Sequence, residues 1–86
     1  MPKISEFFGI KIYMYFEDHS PPHFHATYAE YEAVIKIDDL SVLRGSLPPR
    51  VLGLVVEWGT LHELELEADW RQAQDMKSLS KIPPLE

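Results

Sequence analysis

Apolar residues recur on every second position before Asp38 and on every third or fourth position after Pro49, and this change of period constrains the fold more than any other feature of the chain. Ile10, Ile12, Met14 and Phe16 alternate with Lys11, Tyr13 and Tyr15. Phe24, Ala26 and Tyr28 alternate with His23, His25 and Thr27, and Tyr31, Ala33, Ile35 and Ile37 alternate with Glu32, Val34 and Lys36. Successive Cβ atoms of a strand point to opposite faces, so each run predicts a strand with one face on the core. Strands are expected over about 3–8, 10–16, 23–28, 31–37 and 42–46, with Gly9 as a bend and no readable register for the last.

A two-residue turn at Ala29-Glu30 sets Tyr28 against Tyr31, Ala26 against Ala33 and Phe24 against Ile35. It sends His23, His25 and Thr27 to the opposite face, with His25 across from Val34 and diagonal to Glu32. Primed turns favour Gly, Asn or Asp, which are absent here, so a longer loop with another register stays open.

Helical spacing takes over at Leu47-Pro48-Pro49, with Ser46 as the expected cap and prolines that suit a first turn. Val51, Leu54, Val55, Trp58, Leu61, Leu64 and Ala68 form the apolar stripe of a helix over about 48–75. Gly53 and Gly59 each cost about 1 kcal/mol relative to Ala, which makes the region near Gly59 the expected place for a break. Glu57, Glu63, Glu65, Glu67 and Asp69 are expected on a solvated face or one that docks a basic partner. Residues 76–86, with Pro83-Pro84, read as an extended tail. Strands followed by helix without alternation predict an α+β fold: a small antiparallel β-sheet, a β-meander, covered on one face by a C-terminal helix or helix pair. With 86 residues the chain supports one core, so 1–75 is read as a single domain.

Fourteen acidic against eight basic residues give a net charge of -6, which disfavours nucleic acid or an anionic membrane as the main partner. Lys11, Tyr13 and Tyr15 would suit base stacking, but aromatic residues on a sheet face more often pack under a loop. The lack of cysteine removes disulfides, thiolate metal sites and cysteine nucleophiles. No apolar run approaches the ~20 residues of a membrane span and the start does not resemble a signal peptide, so a cytoplasmic protein is expected.

Chemistry-bearing residues concentrate in Asp18-His19-Ser20-Pro21-Pro22-His23-Phe24-His25, behind a stiff Pro-Pro step. His23 and His25, two apart on a strand, share a face and can direct two imidazoles at one divalent metal such as zinc. His19, Asp18 or Glu32 supplies a third ligand, and three protein ligands leave a position for an activated water. Without a metal, the same His19, His23 and His25 could act as general acids or bases oriented by Asp18 or Glu32. The plainest alternative is that these histidines only satisfy loop carbonyls at a strand start. His62, beside Leu61, is expected on the helix surface away from this cluster.

The same eight residues, followed by Tyr31-Glu32-Ala33 and by Gly45-Ser46-Leu47-Pro48-Pro49-Arg50 ahead of a Trp-containing helix, closely resemble a family of small bacterial proteins catalogued as domain of unknown function 4160. The resemblance covers nearly the whole chain. It implies a prokaryotic cytoplasmic protein whose gene sits beside another small gene, an arrangement similar to a toxin-antitoxin pair. Family members tend to carry Gly where this chain has Ala29. The resemblance brings no established reaction.

Two functional readings follow. One is an interaction module paired with a partner protein, in a toxin-antitoxin-like pair or as a homo-oligomer, that contacts its partner through the histidine edge or the acidic helix. The other is a metal-binding or His-dependent hydrolase or nuclease built on His19, His23 and His25, with Glu32 as base or further ligand.

Overall fold

The computed structural model describes residues 2–16 and 18–86. Met1 and Glu17, the latter expected to open the polar loop before Asp18, lie outside the described residues. Among the described residues, strands β1 (Lys3–Phe7), β2 (Ile10–Tyr13), β3 (His23–Tyr28), β4 (Tyr31–Lys36) and β5 (Val42–Ser46) precede helices α1 (Pro49–Leu61) and α2 (Glu63–Gln74). The strands form one antiparallel sheet in chain order, so the architecture is the α+β meander that the change of period predicts.

The central hairpin keeps the tight register: Tyr28 pairs with Tyr31, Ala26 with Ala33, Phe24 with Ile35 and His25 with Val34. Ala29 closes the turn at φ 52°, a left-handed conformation that costs a non-glycine residue about 1–2 kcal/mol. The apolar alternation of Phe24, Ala26, Ala33 and Ile35 outweighs that cost, because a one-residue slip would turn all four out of the core. β2 is shorter than the alternation predicts, since after Tyr13 the Met14 amide leaves the ladder and donates to the carbonyl of Pro2 at 3.2 Å.

Pro48, with no side-chain hydrogen bond, caps α1, while Ser46 remains in β5 rather than capping the helix. Trp58 on α1 is fully buried and lies edge-on to Phe24, with ring centroids 5.8 Å apart. The helix breaks at His62, three residues past Gly59. Gly59 is buried inside α1 under Leu40, whose side chain would come within 2.7 Å of a Cβ at this position, so the glycine allows close packing and does not loosen the helix. The break rotates α2 relative to the stripe of α1: Leu61 and Leu64, expected to be buried, are 65% and 79% exposed, and Leu66, Trp70 and Ala73 face the core instead. Asp69, expected in solvent, is buried for the same reason.

Residues 76–86 carry no helix or strand, yet they form a strap tied to the core. The Ile82 amide donates to the carbonyl of Ile4 at 2.8 Å, the Ser80 amide to Asp69 Oδ1 at 2.9 Å, and Trp58 Nε1 to the carbonyl of Pro83 at 2.9 Å. Ile82 and Leu85 join the core cluster, each buried side chain stabilising the fold by about 1.5–3 kcal/mol. No described helix is long and apolar enough to cross a membrane.

Candidate metal centre

His23 and His25 project from β3 on the face opposite Phe24 and Ala26, yet both are buried. Tyr15 covers His25 at a centroid distance of 4.4 Å, and Trp70 from α2 covers His23 at 5.2 Å. Tyr13 stacks on Tyr15 at 6.3 Å, so these tyrosines wall the histidines. Burial, first of all, raises the Tyr15 hydroxyl above the ordinary phenol range, and the neighbouring Glu32, Tyr13 and Asp18 add to the effect.

Asp18 lies in the loop ahead of β3. Gln74 Nε2 at the end of α2 donates to its carbonyl oxygen at 3.1 Å, which fixes the loop against the helix. The Asp18 Oδ2 atom stands 3.0 Å from Nε2 of His23 and 3.0 Å from Nε2 of His25. On the far side of each ring, His23 Nδ1 lies 2.7 Å from the carbonyl oxygen of Pro21, and His25 Nδ1 lies 3.3 Å from Glu32 Oε2.

The proton inventory of the site follows from these partners. A backbone carbonyl only accepts, so Nδ1 of His23 carries a hydrogen, and in a neutral ring Nε2 is then a lone pair. His25 meets a carboxylate oxygen at each ring nitrogen, Glu32 Oε2 at 3.3 Å on Nδ1 and Asp18 Oδ2 at 3.0 Å on Nε2, so a hydrogen on either nitrogen has an acceptor. Two ring nitrogens and a carboxylate oxygen converge within 4.8 Å of one another. With the hydrogen of each ring on Nδ1, one divalent ion would take all three atoms as donors. Imidazoles that donate Nδ1–H to a carbonyl and to a carboxylate while presenting Nε2 have the outer hydrogen bonding of metal-ligating histidines. A tetrahedral ion with ligands at about 2.0–2.2 Å sets its donor atoms about 3.3–3.6 Å apart; here Asp18 stands 3.0 Å from each imidazole and all three donors lie within 4.8 Å of one another.

Of the expected residues, Asp18, His23 and His25 converge, and Glu32 takes an outer position on His25. His19 is exposed, lines the adjacent cavity, and is not among the three converging donors. His62 lies apart and bonds Glu65. Arg44 escapes sequence reasoning because β5 has no clean alternation: a bulge sets Val34 against Arg44 and Ile35 against Val42, with Leu43 as the extra residue. Arg44 thereby shares a row and a face with Val34, His25 and Tyr13. The irregular Val42-Leu43-Arg44-Gly45 run was the available signal, because glycine inside a strand often marks a bulge. Trp70 and Gln74 were also missed as supports, and only the three-dimensional path of α2 brings them to the site.

A family model described as Domain of unknown function (DUF4160) matches residues 9–71, which include Asp18, His23, His25, Glu32 and Arg44. No curated protein and no solved structure gives a significant match to the chain.

Proposed function

The chain belongs to the DUF4160 family, a domain of unknown function, and we propose that it is a divalent-metal-binding protein, with zinc as the best-fitting ion and Asp18, His23 and His25 as ligands. One observation carries this reading: both Nε2 atoms meet the same carboxylate oxygen at 3.0 Å while both Nδ1 atoms are engaged elsewhere. Nitrogen and carboxylate ligands without sulfur suit zinc and the two-histidine, one-carboxylate iron sites, and zinc needs no redox partner. Elemental analysis of protein exchanged into excess zinc and then desalted tests the reading. The expected result is one zinc per chain, lost in H23A and in H25A; absence of zinc from the wild type would overturn it.

Three protein ligands leave coordination positions open to the cavity bounded by Asp18, His19, His23 and Arg44, which supports a hydrolytic role in which the ion lowers the pKa of a bound water. His19 lines that cavity and is exposed, which supports a role in contacting a ligand there.

Pairing with another protein is a second reading, supported by β5. This strand ends the sheet, is exposed along its whole length, and shows Val42 and Leu43 at 38% and 45% exposure. Exposed edges of this kind accept an added strand. Replacement of Val42 and Leu43 by lysine is expected to abolish co-purification of a native partner; unchanged recovery would defeat this reading.

A further inference from the structure

Two cavities meet beside the metal ligands. One, of about 310 Å³, is bounded by Asp18, His19, His23, Leu43 and Arg44. The other, of about 330 Å³, is bounded by His25, Glu32, Val34, Arg44 and Gly45. Arg44 and Val34 border both, so the cavities form one groove with the ligands along one side and a guanidinium on the other. Arg44, like Arg50 and Arg71, makes no ion pair within 4 Å among the described residues, and of these three it is the one that borders the groove. The β5 bulge holds it there, and Gly45 holds the bulge: its φ is +78°, and a Cβ would come within 2.2 Å of the Glu32 carbonyl oxygen. Two strand spacings, about 10 Å, separate the Arg44 backbone from that of His25, with Val34 as a low apolar floor between them.

We infer that this groove binds a small phosphate ester between the metal ion and Arg44; the inference rests on the metal reading and names the ligand class of that site. The charge count favours an anion. Asp18 and Glu32 balance a divalent ion, and the Arg44 charge remains uncompensated. A phosphoryl group has at least two non-bridging oxygens pointing in different directions, so one meets the ion while another meets the guanidinium fork. A carboxylate can bridge the two only by giving one oxygen to each, whereas a phosphate monoester, with three non-bridging oxygens, gives one to the ion and keeps two for the guanidinium fork. The ligand is small rather than a polymer, because a chain of net charge -6 repels an extended polyanion.

The test is calorimetric titration of inorganic phosphate, phenyl phosphate and acetate into four samples: zinc-loaded wild type, zinc-free wild type, zinc-loaded R44Q and zinc-loaded R44K. Zinc content is measured first in every sample. Arg44 is exposed on an edge strand, so R44Q is expected to keep both the melting temperature and the zinc of the wild type. The expected result is binding of both phosphates to the zinc-loaded wild type about ten-fold or more tighter than to R44Q or to zinc-free protein, with R44K between, from loss of one charge-assisted bidentate contact. Equal phosphate affinity in fully zinc-loaded wild type and R44Q would overturn the phosphate inference and leave the metal reading standing. Acetate binding as tightly as phosphate would overturn the ligand class. Failure of the wild type to hold zinc would overturn both.

Discussion

The Nδ1–H of His23 donates to the carbonyl oxygen of Pro21, 2.7 Å away, and this bond turns the opposite nitrogen of the ring toward Asp18. A residue two positions earlier in the chain thus sets the tautomer of a site residue. Glu32 Oε2 meets Nδ1 of His25 at 3.3 Å from the neighbouring strand. These outer contacts hold both rings toward Asp18, and under the proposed metal reading such preorganisation lowers the entropy that ion binding must overcome.

Zinc at a hundred times its dissociation constant is predicted to stabilise the wild type by about 2.7 kcal/mol, since an ion that binds only the folded state shifts unfolding by mass action. Thermal melts with and without zinc measure this. H23A and H25A are expected to melt at the same temperature in both conditions, whereas H19A retains the shift because His19 is not one of the converging donors.

Gly45→Ala is predicted to destabilise the protein by about 2–3 kcal/mol, because alanine must hold φ +78° and its methyl would strike the Glu32 carbonyl oxygen. Urea unfolding measures the loss. Because the clash lies between β4 and β5, the variant is also expected to weaken any function that needs Arg44 more than it weakens zinc uptake.

Asp69 provides a pH prediction. Burial, first of all, raises its carboxyl above the ordinary 3.8, with Glu65 adding to the rise and the Ser80 amide opposing it; Oδ2 has no hydrogen-bond partner. The native state then holds a proton that the unfolded state releases, so Asp69 lowers stability progressively as pH rises above the unfolded value. D69N removes that dependence. Its stability relative to wild type is expected to increase as pH rises above the unfolded carboxyl value and to level off above the raised native one, read from denaturant melts at each pH; a constant difference would refute the assignment.

Ile82→Ala is predicted to cost about 2–5 kcal/mol by opening a cavity between the strap and the sheet. Trp58→Phe retains most of the ring but leaves the Pro83 carbonyl without its donor, at a cost of about 1–3 kcal/mol. Both losses, measured by chemical denaturation, would distinguish a docked segment from a loose tail.

What could be read in advance was whatever local period dictates. Phe24, Ala26, Ala33 and Ile35 specify the hairpin register, and the same alternation places His23 and His25 side by side. The diagonal between His25 and Glu32 follows from that register. Contacts between residues far apart in the chain have no such signature. Trp58 meets Pro83, Gln74 meets Asp18 and Lys81 meets Lys3 through separations of 25, 56 and 78 residues. Gly59 was read as a weak point of the helix because its partner, Leu40, lies outside any helical window. The turn at His62 then exchanged the exposure of Leu64 and Asp69, a rotation that a single continuous stripe cannot anticipate.

The hydrogen bond between Ile82 and Ile4 brings the two ends of the described chain side by side. Ile4 and Ile82 are therefore neighbours in space, and the order in which the segments between them are connected is separable from the architecture. A short peptide joining β1 to the strap, with the chain opened at the exposed Ala29-Glu30 turn, would yield a permutant with the same sheet order and the same three converging donors.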